Sequence, residues 1–431
     1  MSVNISRRKL LFATGGVAAS AVLVACSGNS GSSGEKGAVT WSTWGSPDEL
    51  KGFDRFQEAF KTNNPDIELK FQPVPSYGDY HSKLQTQLTS NTAPDVFYVG
   101  DDRIASIIRN DVLLPIGEGL ADTDLSQDDF AENILDIARW EGEVYALPND
   151  VNPDTLWYDK EALAAAGITD DPAELAENDE WTTEAFLDMS TKLAAAGLTG
   201  AVFWNYWATH ASWMTSQDGQ VYDADGKYVA HTDSNSVAAM EEFAARFQAG
   251  EFKLADLLPT GAGSESMLVT HKLGFLAAGR YTIGAIRGAG VDETLYDVVR
   301  WPSPDGKARP TGVAASYLAI NKNAADPEAA LKFFSSFLDA EGQRLRLEDA
   351  GNAVPSVKGA DDIVLDAGYP AHAQTMLDMR DLGYSNFPTE AAVPDLSNTI
   401  SVEYMQPLYE GKSTAQETLD AVAALVEEQT A

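Results

Sequence analysis

The chain has 431 residues, with 65 acidic against 30 basic side chains and a formal net charge of −35. That charge disfavours nucleic acid and anionic membranes through bulk repulsion, while 44% hydrophobic and 10% aromatic residues exclude a disordered acidic tail. The length allows two or three domains, and the single cysteine, Cys26, rules out an internal disulfide and a cysteine-based metal site.

Arg7, Arg8 and Lys9 precede a small, apolar run over 10–25 that leads directly into Cys26. A positive start, an apolar run and small residues before a cut describe a secretory signal peptide over residues 1–25. The run is too short and too rich in Gly and Ala for a membrane span. Ser6-Arg7-Arg8 resembles a twin-arginine export signal, with Sec export left open. Leu23-Val24-Ala25-Cys26 resembles the bacterial lipobox, in which the cysteine is lipidated and becomes the new N-terminus. Residues 26–37 then read as the lipidated Cys26 and a flexible Gly/Ser tether.

From Ala38 the pattern becomes regular. Residues 39–43 predict a strand. Ser46-Pro47-Asp48-Glu49 predicts a helix start, with Ser as N-cap, Pro in the first turn and Glu in the capping-box position. Leu50, Phe53, Phe56 and Phe60 give that helix an apolar face, and Asn63-Asn64-Pro65 stops it. Residues 67–71 alternate as a strand does, 80–90 predict a second helix and 95–99 a third strand. This β-α-β-α-β run predicts a parallel sheet with right-handed crossovers. Ligands bind beyond the carboxyl ends of such strands. The rule selects Trp44 after the first strand and Gly100, Asp101 and Asp102 after the third.

A second α/β region follows. Helices are predicted over 159–166, 182–196 and 237–247, and strands over 200–204, 272–276 and 317–320. Asp223-Ala224-Asp225-Gly226-Lys227 reads as a hairpin turn that lacks the remaining ligands of a calcium loop. The chain after Pro327 is largely helical in pattern. Leu147 to Pro153, punctuated by two prolines, reads as the first crossing between two lobes.

The search for catalytic motifs is negative. No His-Glu-x-x-His, no Gly-x-Ser-x-Gly and no phosphate loop ending in Gly-Lys-Ser/Thr is present, and the five histidines have no metal-ligand spacing. Gly261-Ala262-Gly263 lacks the third glycine of a dinucleotide fingerprint. No metal and no cofactor are therefore expected. A glycosidase needs only two carboxylates at the right separation, which spacing among 65 acids does not exclude. Aromatic residues beside polar ones are abundant: Trp204, Tyr206, Trp207 and Trp213 lie within ten residues. Rings suit the C–H faces of sugars, and Asp, Asn and Arg suit the hydroxyls. The alternative is that these rings are core.

Ordered short motifs then carry a resemblance. They include Val39-Thr40-Trp41, Ala93-Pro94-Asp95-Val96-Phe97, Tyr145-Ala146-Leu147-Pro148 and Leu156-Trp157-Tyr158-Asp159-Lys160. Trp181-Thr182-Thr183-Glu184-Ala185-Phe186, Gly279-Arg280-Tyr281, Pro327-Glu328-Ala329-Ala330 and Gly351-Asn352-Ala353-Val354-Pro355 continue the series. Together with the lipobox, the chain over 39–428 resembles the carbohydrate-type, maltodextrin-binding-like extracellular solute-binding lipoproteins of bacterial ABC importers.

The resemblance implies a two-lobe α/β fold of the periplasmic-binding-protein kind, with hinge crossovers and a ligand cleft between the lobes. It implies lobe one over 38–148 with 303–352, and lobe two over 149–302 with 353–431. It places sugar contacts on Asp101 or Asp102 with Arg103, on Asn149 and Asp150 at the first crossing, and on an aromatic platform of Trp204, Tyr206 and Trp207. Tyr281 stands where relatives often have Trp in Gly-x-Trp, with Arg280 beside it. Asp102 could instead cap the following helix, and Arg280 could sit in a surface ion pair. The implied protein is a monomeric binder, not an enzyme. It is lipid-anchored outside the cell and passes a sugar or oligosaccharide to the membrane permease of an ABC transporter. A binder of another solute, such as a polyamine or peptide, and an exported glycoside hydrolase are the alternatives.

Overall fold

The computed structural model describes residues 37–45, 47–259, 263–348 and 352–430. The signal peptide, Cys26 and nearly all of the tether lie outside the described residues, as do Ser46, Gly261 and Gly351. In chain order the strands are β1 (Ala38–Ser42), β2 (Glu68–Phe71), β3 (Val96–Gly100), β4 (Arg139–Trp140), β5 (Glu143–Val144) and β6 (Ala146–Pro153). They continue with β7 (Thr155–Asp159), β8 (Thr199–Phe203), β9 (Phe252–Leu254), β10 (Leu273–Ala278), β11 (Tyr296–Val299) and β12 (Val313–Ile320). Two five-stranded sheets form, in the orders β2-β1-β3-β12-β6 and β11-β7-β10-β8-β9, while β4 and β5 make a small hairpin.

The first sheet begins as the expected parallel unit, with β1 between β2 and β3. β12 returns from far along the chain and joins antiparallel, and β6 pairs with its other side. The helix Pro47–Asn63 covers this sheet because Phe53, Phe56 and Phe60 recur on one face, and all three are buried. Beneath it Trp41 stacks on Phe71 with centroids 4.2 Å apart and meets Phe53 edge-on at 5.2 Å. The second sheet pairs β10 and β8 in parallel; β7 joins β10 antiparallel, and β11 pairs antiparallel with β7 at one edge.

Several elements differ from the sequence reading. Leu147 to Pro153 is not the crossing itself but most of β6, so the expected division at 148/149 falls inside a strand. The change of sheet comes at Asp154, between β6 and β7. The prolines are compatible with pairing because β6 is an edge strand, where a missing N–H costs no ladder bond. A second crossing spans 300–312, between β11 and β12. A third strand of chain joins at the bridge Val151–Val354, where each N–H donates to the other's carbonyl at 3.0 and 2.8 Å. The second helix starts at Tyr77 rather than Tyr80, because Ser76 caps it by accepting from the Asp79 N–H at 3.2 Å. β8 stops at Phe203, leaving Trp204 outside it. The 223–227 turn is a hairpin turn, bridged by Tyr222 and Tyr228, with Asp223 Oδ1 accepting two of its backbone N–H groups.

Candidate functional site: a cleft between the two sheets

The carboxyl ends of β1 and β3 face those of β8 and β10 across a cavity of about 530 Å³. Trp44, Asp101, Asp102 and Arg103 line it from the first sheet; Tyr206, Trp207 and Tyr281 line it from the second. Asp150 on the edge strand completes the predicted residues found there.

The first wall is braced by ring contacts and hydrogen bonds. Trp44 meets Tyr77, Tyr80 and Tyr98 edge-on, with centroids 5.0 to 5.4 Å apart. The Tyr77 hydroxyl donates to Asp102 Oδ1 at 2.6 Å, and Arg103 Nε lies 3.3 Å from Asp102 Oδ2. Gly100 is required for this: a Cβ there would fall 1.9 Å from the Tyr77 hydroxyl oxygen. Gly100 N–H donates to His81 Nε2, so the ring proton sits on Nδ1 and donates to the Tyr77 carbonyl at 3.0 Å. Burial pushes His81 down to about 4, so the ring is neutral at physiological pH. Asp102 does not cap the next helix. The N-cap of Ile104–Arg109 is Arg103, with no side-chain bond.

Asp101 joins the walls. Its Oδ2 accepts from Ala315 N–H at 2.9 Å, and its Oδ1 from the Trp207 indole at 3.3 Å. Burial, and then the neighbouring Asp102, push its carboxyl up to about 7 against those two hydrogen bonds.

The second wall is looser. Tyr206 and Trp207 stand at the start of the helix Trp207–Ser216. The Tyr281 hydroxyl lies beside the Trp204 indole, whose Nε1 is buried without a hydrogen-bond partner. Trp204 itself is absent from the cavity lining: with β8 ending one residue early, Asn205 takes the lining position, its N–H held by Asp256 Oδ2 at 2.7 Å. Trp213 is core, stacked on Phe243, with its indole donating to the Ala239 carbonyl at 2.7 Å.

Two predicted contacts are structural instead. Asn149 is fully buried, accepting from the Tyr98 hydroxyl at 3.0 Å and donating to Asp150 and Ser316. It holds Asp150 rather than reaching the cavity. Arg280 is 1% exposed and makes no surface ion pair. Its guanidinium donates to the carbonyls of Leu347, Ala353 and Ile363 at 3.0 to 3.4 Å. A buried cation is tolerable there because backbone carbonyls replace water. Burial lowers it to about 10, so it stays charged.

Tyr77, Asn152, Ser316 and Asn398 also line the cleft and were not foreseen. Asp150 and Asn152 sit two apart on β6, facing one side, with Ser316 paired opposite Asp150. That spacing was present in the sequence, hidden by reading the stretch with its two prolines as the crossing between lobes. Among the described residues no cluster of three or more His, Cys, Asp or Glu could hold a metal, and no helix is long and apolar enough to cross a membrane.

A two-sheet α/β fold with its cleft at the strand ends defines a ligand-binding protein of the two-lobe periplasmic type. The chain belongs to the bacterial extracellular solute-binding protein family, whose sequence profile matches residues 44–344. It is 27% identical to the diacetylchitobiose-binding protein DasA of Streptomyces coelicolor over 259 residues, 56% of this chain and 57% of that protein. It is 23% identical to the maltotriose-binding protein of Pyrococcus abyssi over 305 residues, 68% and 60% of the two chains. A putative binding protein of Brucella abortus matches over only 29% of its own length, at 26% identity and 28% of this chain. The chain thus spans 29% to 60% of the length of these curated relatives. Among solved structures, the ABC substrate-binding protein of Listeria monocytogenes in complex with cycloalternan superposes with a TM-score of 0.78. The two share 18% identity over 91% of this chain and 99% of that one. The maltose-bound MalE3 protein of T. maritima gives 0.75 at 19% identity, with the same coverage. These structures share the fold.

Proposed function

We propose that this protein is the substrate-binding component of an ABC importer and that its cleft captures a neutral sugar or oligosaccharide. The observation that carries this is the make-up of the two walls. Aromatic rings from both sheets face one cavity, interleaved with Asp101, Asp102, Asp150, Asn152 and Asn205. Arg103, the cationic group in the lining, is neutralised by Asp102, which suits an uncharged ligand better than an anion. Rings take the C–H faces, and carboxylates and amides take the hydroxyls. The names of the sugar-binding relatives support the same ligand class.

In this reading the sugar bridges the walls and favours the closed form by its higher affinity for it. The closed form docks on the membrane permease. Cys26 carries lipid at the outer face of the cell membrane, and the tether lets the lobes reorient; stable anchoring takes more than one acyl chain. The protein acts as a monomer and releases its ligand unaltered.

The test is a thermal-shift screen of residues 37–431 against maltotriose, diacetylchitobiose, arabino-oligosaccharides and monosaccharides, with spermidine and peptides alongside. A ligand at one hundred times its dissociation constant adds about 2.7 kcal/mol of stability. A shift with one sugar class, abolished in Trp207→Ala and Trp44→Ala, with the sugar recovered intact, is the expected result. A shift with spermidine or a peptide alone would overturn the ligand class, and turnover of the sugar would overturn the assignment as a binder.

A further inference from the structure

Asp154 is the residue at which the chain changes sheets. Its backbone is gripped by the second crossing. Its N–H donates to the Gly312 carbonyl at 3.0 Å, and its carbonyl accepts the Trp301 indole N–H at 2.7 Å. Its carboxyl is buried, 2% exposed, and lies beside the Tyr206 hydroxyl, with Oδ2 lacking any hydrogen-bond partner. Tyr206 is one of the rings of the cleft.

Tyr206 is also tied to the same crossing from its other side. It immediately precedes the helix Trp207–Ser216, and that helix is seated on Gly312. The Gly312 N–H donates to Ser212 Oγ at 2.8 Å, and a Cβ on Gly312 would come within 2.6 Å of the Ala208 Cβ. Tyr206 is therefore seated from one side by the helix packed on Gly312, and on its other side it faces the buried Asp154 carboxyl.

The titratable groups facing Asp154 are the hydroxyls of Tyr206, Tyr281 and Tyr384, and Asp101 acts on the same Tyr206. With no cation among them, burial pushes Asp154 up to about 8. Protonated, the carboxyl can donate as well as accept, which an ionised one cannot.

We infer that Asp154 is a positioning residue, which sets the Tyr206 ring in the cleft relative to the point where the chain passes between the sheets. Ring orientation is thereby coupled to the inter-sheet crossing through one side chain. The consequence for ligand affinity rests on the proposed sugar-binding reading; the coupling itself does not.

The experiment has a ligand-free arm and a ligand arm, run on the exported domain, its lead sequence removed. In the first, tyrosine is labelled at the ring carbon bearing the hydroxyl, and the Tyr206 signal is assigned by its loss in Tyr206→Phe. In wild type that signal should move with pH through a midpoint near 8, and in Asp154→Asn it should not. In the second, maltotriose and diacetylchitobiose are titrated by calorimetry. Asp154→Asn, an isostere of the protonated acid, should match wild type near pH 6, while Asp154→Ala should bind about tenfold more weakly. That loss should vanish when Tyr206→Phe is already present. A Tyr206 signal that is the same in wild type and Asp154→Asn at every pH would overturn the inference. So would an Asp154→Ala penalty that persists in the Tyr206→Phe background. If neither sugar binds wild type, the sugar reading is in question while the carbon signal still decides the coupling.

Discussion

The two walls of the cleft are built to the same plan and finished differently. Each places rings and polar groups just beyond the ends of parallel strands. On the first wall most polar groups are committed to a neighbour: Tyr77 donates to Asp102, Gly100 to His81 and Ala315 to Asp101, and Arg103 pairs with Asp102 as an ion although its Nε makes no hydrogen bond. On the second, Trp204 Nε1 is buried and unpaired, and behind it so is Asp154 Oδ2. A wall whose polar groups are mostly paired with one another is preorganised and loses little entropy on binding. A wall with spare capacity can take up a ligand or water without first breaking a bond. The rigidity of the second wall comes from behind it, through the Arg280 guanidinium and the seating of helix Trp207–Ser216 on Gly312.

The sharpest way to break that contrast is to remove the support behind the second wall. Arg280→Met leaves three backbone carbonyls facing an apolar chain and is expected to cost about 3 kcal/mol in urea unfolding. If Arg280 were a ligand contact, the variant would lose affinity with stability unchanged.

Asp101→Ala removes the bond between the walls and leaves the Ala315 N–H and the Trp207 indole unsatisfied. It should cost about 2 kcal/mol. The unliganded protein should also expand in small-angle scattering, and an unchanged radius of gyration would mean that the bridge does not hold the walls together.

The buried acids make the third test a matter of pH. Asp101 and Glu390 are pushed up to about 7 and Asp154 to about 8, chiefly by burial, whereas in the unfolded chain they titrate near the ordinary carboxylate value. The folded state therefore binds more protons across this window. The stability these groups contribute is fully present below the unfolded pKa and is lost as pH rises toward 8. Calorimetric midpoints of wild type should fall over that range. Asp154→Asn should fall less, ending about 2 °C or more above wild type near pH 8. Parallel curves would place the proton uptake elsewhere.

The smallest effect belongs to the first wall. Tyr77 is 40% exposed, so Tyr77→Phe gives up its bond to Asp102 at a cost of about 0.5 kcal/mol. A loss several times larger would show that the braced wall acts as one cooperative network.

The amino-acid sequence by itself determined the first β-α-β-α-β unit. Its signals are local: the aromatic repeat of Phe53, Phe56 and Phe60, the alternation over 67–71, and the Asn64-Pro65 stop. The strand-end rule then put Trp44, Asp101 and Asp102 at one edge with no knowledge of the fold, and the order of the short motifs pointed to the family. Tertiary structure alone decided which polar residues face the cavity. Arg280 looks like a ligand contact in Gly279-Arg280-Tyr281, but its partners are carbonyls 67 to 83 residues away, and no local pattern carries that distance. Asn149 and Asp150 are adjacent, yet one is buried and the other lines the cleft, because pairing with β12 settles which face each takes. Trp204 lost its place by one residue at a strand end, and Asp154 became the point of crossing only once two sheets existed to cross between. Periodicity is a property of neighbours in sequence and reports which face of an element is apolar. The partner of a buried charge or a single hydrogen bond is a property of neighbours in space.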